Sequence, residues 1–241
     1  MGLPSGTSLP RVGRQELAPL LRGCFHRGQR RRQADLFVLR WGGRDALLKD
    51  FSARSFLLRQ TWGRLVTRRE VRILRQIRGV SGVPEILATV GSCGFLMARL
   101  PAQPMPRPSE PPPPLMFFKA ATDLLRSLHS LGISHGDLRR PNLMVDTQGR
   151  PYLVDFATAV AVGSGCLSFL KRPLYRCFAA LDDYGLVRLK AEFYPDSLSA
   201  EEAWRLGHPP WFQRAADRVT HLFRCSRAAP GKARNGPCAN S

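Results

Sequence analysis

Eight prolines fall within fourteen residues at 101–114, PAQPMPRPSEPPPP. Proline has no backbone N–H and a fixed φ, so neither a helix nor an interior strand crosses such a run. It reads as an extended linker, and it forces the chain into two bodies. The patterns on its two sides differ. Before it, ADLFVLRWGGRDALLKDF (34–51) reads as strand, Gly-Gly turn and strand. SFLLRQTWGRLVTRREVRILRQIR (55–78) reads as a helix with Gly63 a candidate break, and VPEILATVGSCGFLMARL (83–100) as a second strand pair. After it, LMFFKAATDLLRSLHSLG (115–132) is an amphipathic helix stopping at Gly132. NLMVDTQGRPYLVDF (142–156) is a further hairpin, and the rest, to residue 225, alternates helical patterns with loops. Residues 1–13 and 226–241 are rich in Gly, Pro, Ser and Asn and read as loose ends. The expectation is an α+β chain: a small antiparallel-sheet lobe at 14–100, the linker 101–114, and a larger, mostly helical lobe at 115–225. Ligand clefts tend to lie between such lobes.

Charge is uneven. Residues 1–78 hold eighteen Lys/Arg against five Asp/Glu, whereas residues 79–241 hold nineteen against thirteen. Such an excess favours anionic partners. Only five of the 37 basic residues are lysine, so compositional bias accounts for part of it. Nucleic acid is not favoured, because no stretch interleaves aromatic and basic residues along one strand. The six cysteines (24, 93, 166, 177, 225, 238) show no Cys-x-x-Cys and no zinc spacing, and read as free thiols of a reducing compartment. The opening residues have no apolar core of a secretory signal, and Gly6 breaks the myristoylation pattern. No run has the length of a membrane span. The expected location is cytoplasmic, with peripheral contact at the inner membrane face as an additional expectation.

The chemistry concentrates at 133–156. ISHGDLRRPNLMVD puts Asp137 and Asn142 five residues apart between apolar runs, and PYLVDF ends the next run in Asp155. The hairpin brings these oxygen-bearing side chains to neighbouring loop and strand ends. Magnesium takes hard oxygen ligands, usually one or two carboxylates plus substrate phosphates; Asn142 and Asp155 suit it. Asp137 is then left over, its oxygens free to accept a proton from a hydroxyl. In the first lobe Lys49 lies in the strand run DALLKDF. A partly buried ammonium needs a partner. Glu70 is the candidate, because it sits on the apolar stripe of Val66, Ile73, Leu74 and Ile77, where an unpaired carboxylate is out of place.

A strand Lys, a helix Glu, HGDLRRPN and then a hairpin ending in VDF resemble the protein-kinase-like superfamily, with its V-A-I-K, helix Glu, H-R-D-L-x-x-x-x-N and D-F-G motifs. The spacings agree over 34–190, and LDDYGLVRLK (181–190) resembles the family's later helix with a buried acid, here Asp182. The resemblance implies a two-lobed kinase-like fold and an ATP- and Mg²⁺-dependent phosphotransferase. It implies that Lys49, oriented by Glu70, holds the α- and β-phosphates, and that Asp137 is the catalytic base. Asn142 and Asp155 would hold Mg²⁺, Arg139 would face the γ-phosphate, and Leu100 to Ala102 would be the hinge beside adenine. The acceptor would be a protein serine or threonine, or a sugar hydroxyl of a glycolipid. HGD in place of HRD resembles the atypical branches, the lipopolysaccharide Kdo kinases and RIO-like serine/threonine kinases above all.

Four departures accompany the resemblance. RGCFHRGQRRRQ (22–33) stands where a Gly-rich loop belongs, DFG reads DFA with Ala157, the Arg of HRD is Gly136, and no A-P-E is present. The first favours an alternative, a catalytically weak pseudokinase serving as a scaffold; Arg30–Arg32 are candidates to cover the phosphates instead. The second makes a flipping switch unfavourable. The third removes the usual partner of a phosphorylated activation loop. His135 is expected to pack and bond to backbone. The uncharged run FATAVAVGSGCLSFL (156–170) reads as a packed segment, with Leu167 and Phe169 candidates for a shallow membrane contact.

Overall fold

A computed structural model describes residues 8–28, 33–163 and 168–210. In chain order the elements are β1 (Arg11–Val12), α1 (Arg14–Leu17), β2 (Leu21–His26), β3 (Asp35–Trp41), β4 (Arg44–Asp50), α2 (Phe56–Leu58), α3 (Arg64–Gln76), β5 (Ile86–Val90) and β6 (Gly94–Ala98). There follow β7 (Gln103–Pro104), α4 (Leu115–Ser130), β8 (Ile133–Ser134), β9 (Leu143–Val145), β10 (Pro151–Leu153), β11 (Val160–Ala161), α5 (Ser168–Ala191) and α6 (Ala200–Gly207). The candidate break at Gly63 is a π-type turn, Arg59–Gly63, that joins α2 to α3.

The first lobe is a six-stranded sheet, ordered β1-β5-β6-β4-β3-β2. Gly42 and Gly43 both have positive φ, as a tight hairpin turn requires, and they fix the β3–β4 register that pairs Leu36 with Lys49. Alternation along β4 sends Ala46, Leu48 and Asp50 to one buried face. Ala46 and Leu48 pack there with Leu17, Leu39 and Leu96. Lys49 takes the opposite face, toward α3. A second cluster runs from Ile73 and Leu74 of α3 and Ile77 just after it, through Phe95, to Phe117, Leu125 and Leu128 of α4 and Phe156. Each large apolar side chain buried there contributes about 1.5–3 kcal/mol. This core is continuous between the lobes and sets their facing edges.

Two expectations are corrected. The N-terminal loose end does not extend through residue 13: Arg11 and Val12 pair in parallel with Thr89 and Val90, because β5 otherwise offers an open edge. The proline run is not a free spacer. Gln103 and Pro104 pair with Val145 and Met144, the Met105 N–H donates to the Leu143 carbonyl at 2.9 Å, and Tyr194 Oη donates to the Pro113 carbonyl at 2.8 Å. Proline keeps its carbonyl as an acceptor, so a proline-rich chain can still be pinned at an edge. The expected tail at 226–241 lies outside the described residues, as do Arg30–Arg32.

Candidate active site

Lys49 and Glu70 meet because α3 packs against β5 and β6 on the face of the sheet that Lys49 occupies. The Lys49 Nζ donates to both Glu70 oxygens, at 2.9 and 2.8 Å, and to Asp155 Oδ1 at 2.8 Å. One ammonium thus joins the sheet, the helix and the start of the DFA segment. Burial alone would push the Lys49 ammonium down, but the Glu70 and Asp155 charges outweigh it and raise its pKa above the ordinary lysine value. Burial pushes the Glu70 carboxyl up, against the pull of Lys49. For Asp155 burial is also outweighed, and Lys49 holds the carboxyl below its ordinary value. Asp155 sits in the left-handed region at φ 66°, which aspartate tolerates better than most residues.

The loop carrying Asp137 is held from below. Asp182, on α5, is fully buried and accepts the backbone N–H groups of His135 and Gly136, each at 2.7 Å. His129 Nε2 lies 3.2 Å from the same carboxylate. This is the buried acid expected on the later helix. His135 packs as anticipated: it is fully buried, its Nε2 bonds the Val154 carbonyl at 2.9 Å, and its ring meets Phe156 edge-on at 4.9 Å. Gly136 has φ 77°, and a Cβ there would lie 2.4 Å from Phe178 Cδ1. An arginine at this position would meet both the strain and the Phe178 ring, so the arginine of an HRD motif has no room here.

Asn142 follows a tight turn in which its own N–H and that of Leu143 bond the Arg139 carbonyl. Its amide nitrogen donates to the Asp137 carbonyl at 2.9 Å and to Asp137 Oδ2 at 3.0 Å. Arg139 Nε lies 3.0 Å from the same Oδ2. The expectation that both Asp137 oxygens stay free is therefore corrected: Oδ2 is engaged twice, and Oδ1 has no hydrogen bond among the described residues. Burial raises the Asp137 carboxyl above its ordinary value, against the lowering effect of Arg139. Leu100 and Ala102 are half-buried between β6 and β7, at the crossing from one lobe to the other.

Sequence reasoning missed Arg69. Its guanidinium reaches from α3 to the Ala159 carbonyl, at 2.7 and 3.1 Å, and to the Thr158 carbonyl at 3.1 Å. It is one of five arginines on α3, with no pattern to single it out. Asp35 was also missed. It pairs with Arg54 and accepts the Gly28 N–H at 2.9 Å, so it anchors the connection that stands in for a Gly-rich loop. Part of the uncharged run, including Leu167, lies outside the described residues. Phe156, Ala159 and Val160 are packed, and Phe169 is exposed.

Among the described residues no three His, Cys, Asp or Glu side chains are gathered as a metal cluster. The donors present still suit a magnesium ion carried with phosphate. Asn142 spends its nitrogen on Asp137 and keeps its carbonyl oxygen, and the Asp155 side chain is 43% exposed.

No family model matches the chain, and neither does any curated protein sequence. Among solved structures, the Rio2 kinase of Chaetomium thermophilum, crystallised as an ADP/Mg²⁺-phosphoaspartate complex, superposes with a TM-score of 0.51 at 18% identity. The match covers 86% of this chain and 72% of that one. The chain has a two-lobed protein-kinase-like fold. No helix among the described residues is long and apolar enough to cross a membrane.

Proposed function

We propose that this kinase-like chain is an ATP- and Mg²⁺-dependent phosphotransferase that phosphorylates a hydroxyl. The observation that carries the reading is Lys49, clasped between Glu70 and Asp155 across the lobes. The ADP and Mg²⁺ of the structurally similar Rio2 kinase agree with it. A lysine kept charged by two carboxylates is suited to phosphate oxygens, with Leu100 and Ala102 beside adenine. Asn142 and Asp155 would hold Mg²⁺, whose charge offsets that of the phosphates. Asp137 Oδ1 accepts the proton of the acceptor hydroxyl as its oxygen bonds the γ-phosphorus; the bond to the bridging oxygen breaks and ADP leaves with the electron pair. Arg139 holds Asp137 by Oδ2 and supplies positive charge next to the transferred group. Positioning and charge neutralisation carry most of such a reaction, so few residues suffice.

The acceptor we favour is a protein serine or threonine, or a sugar hydroxyl of a lipopolysaccharide-type glycolipid, as in the atypical kinases that share HGD. The cytoplasm is the proposed location, with exposed Phe169 the residue placed for contact with the inner membrane face. A second reading, a pseudokinase scaffold, rests on the missing Gly-rich pattern at 22–33.

Calorimetric titration with ATP, with and without Mg²⁺, tests the proposal on wild type and Asp155→Ala. Mg²⁺-dependent binding that the variant loses is the expected result. Absence of binding at about millimolar ATP, where weak nucleotide sites still register, overturns it in favour of the scaffold.

A further inference from the structure

Glu70 occupies the core-facing stripe of α3, and the neighbouring stripe builds a different feature. Arg64, Arg68, Val71 and Arg75 follow one another at steps of four, three and four residues, and Thr67 stands three after Arg64, so they share a face. With Arg11 of β1 and Ser92 of the β5–β6 turn they line a cleft of about 430 Å³. β1 is there only because it pairs with β5, which is how Arg11 reaches the others. Arg11, Arg64, Arg68 and Arg75 all line this cleft, and no carboxylate does. None of the four forms an ion pair among the described residues. The acid beside the lining, Asp50, is taken by Arg14 at 2.6 Å and by Ser52.

Four like charges around one concavity repel unless an anion joins them. A second observation points the same way. Among the described residues Thr67 is 5% exposed and its hydroxyl has no hydrogen-bond partner; Arg64 Nε is likewise buried and unpartnered, as is one nitrogen each of Arg54, Arg78 and Arg140 outside the cleft. Buried polar atoms left in this state are rare and call for an explanation. Both belong to residues of this one cleft. A phosphate monoester carries close to two charges at neutral pH and three acceptor oxygens, and guanidinium forks match that geometry. A half-open cleft of this size is not the long basic track that nucleic acid needs.

We infer that the cleft between α3, β1 and the β5–β6 turn is a recognition site for a phosphate monoester, separate from the Lys49 cluster. Next to it, sharing Arg64 and Arg68, lies a groove of about 600 Å³ lined by Leu58, Trp62 and Leu65. An apolar groove beside a phosphate site is the arrangement that a phosphorylated peptide with an aliphatic neighbour would fill. Phe56, Leu57 and Leu65 are strongly exposed on the same stretch.

Calorimetry on the full chain tests the site with three probes: inorganic phosphate, a phosphoserine peptide flanked by leucines, and the same peptide unphosphorylated. The double variant Arg68→Gln/Arg75→Gln is compared with wild type. Arg126→Gln/Arg188→Gln, an equal loss of charge on the helical lobe, is the control. Saturable phosphate binding is expected, weakened at least about tenfold in the first variant and unchanged in the control. A phosphopeptide at least about tenfold tighter than phosphate identifies a phosphorylated segment as the ligand; equal affinity identifies a free phosphate ester. Binding that does not saturate, that survives the double variant, or that falls equally in the control overturns the inference. So does an oligonucleotide that competes as well as the phosphopeptide at about 0.15 M salt, because that pattern is unspecific attraction. Thermal unfolding checks that the double variant folds. If it does not, Arg75→Gln alone carries the same comparison.

Discussion

Asp182→Asn isolates what holds the catalytic-type loop in place. Both carboxylate oxygens of this fully buried residue accept backbone N–H groups, from His135 and Gly136, at 2.7 Å. Asparagine keeps the volume but turns one oxygen into a donor. Whichever way the amide rotates, one buried N–H then faces another donor, and the remaining bond loses its charge. A hydrogen bond to a charged group contributes about 1.5–3 kcal/mol, and an unsatisfied buried N–H costs about 1–3 kcal/mol. The expected loss is about 3–4 kcal/mol, a large part of the 5–15 kcal/mol typical of a whole domain. With a urea slope of about 2–3 kcal/mol per molar, the unfolding midpoint falls by about 1–2 M.

Asp183→Asn is the internal contrast. That side chain is 39% exposed and pairs with Arg205 at 2.8 Å, so its loss costs under about 1 kcal/mol. Equilibrium unfolding by tryptophan fluorescence and circular dichroism reads both. An Asp182→Asn midpoint within about 0.3 M of wild type would refute the view that this carboxylate carries the loop.

Further outcomes follow from the geometry. Asp137→Asn should lower kcat by about 10²–10⁴-fold while leaving nucleotide affinity nearly unchanged by calorimetry. Because burial raises the Asp137 carboxyl, the acid limb of kcat/KM should lie above the ordinary value of 3.8; a limb below it would sink the assignment of the base. The Asp155 carboxyl is instead lowered, so its pairing with Lys49 contributes stability that is complete above the unfolded value of 3.8 and is lost as pH falls through the lower native value. Lys49→Met should therefore flatten the fall of the urea midpoint below pH 3.8, and an identical fall in both proteins would count against the pairing. Gly136→Ala meets Phe178 and a positive φ together and should cost about 1–3 kcal/mol, a drop in melting temperature of several degrees by calorimetry.

Legibility in the sequence tracked how local each determinant is. The Gly-Gly hairpin, the helix at 115–130 and the strand pair at 86–98 are set by short-range patterns and were read correctly. The Lys49–Glu70 pair was readable because a carboxylate on an apolar stripe demands a partner, and a strand lysine of matching spacing offered one. Asp182 was readable only through the family resemblance. Strand β1 was not, since a two-residue strand in a segment rich in glycine and proline becomes regular only when β5 presents an open edge. Arg69 and Asp35 escaped for a related reason: Arg69 bonds backbone carbonyls far along the chain and Asp35 bonds the Gly28 N–H besides Arg54, and backbone groups leave no trace in residue identity. The pinned proline run shows the same limit, since apart from the Tyr194 hydroxyl its anchors are again main-chain atoms.

The departures from the kinase pattern share one physical consequence. In the resemblance, the HRD arginine and a flexible DFG belong to a segment that changes state. Here the corresponding stretch is tied down by contacts that need no added charge. Arg69 holds the carbonyls of Thr158 and Ala159, the Thr158 hydroxyl donates to the His135 carbonyl at 3.1 Å, and β11 pairs with β8. Ala157, unlike glycine, narrows the backbone alternatives, and Gly136 leaves no cation waiting for a phosphate. Meanwhile Lys49 already reaches both Glu70 and Asp155. In the proposed reading, a site whose lysine, helix and Asp155 are joined at the outset gains nothing from a phosphorylation that would assemble them. The other side of α3 is where Arg11, Arg64, Arg68 and Arg75 line their cleft, and a ligand bound there would act on the helix that carries Glu70.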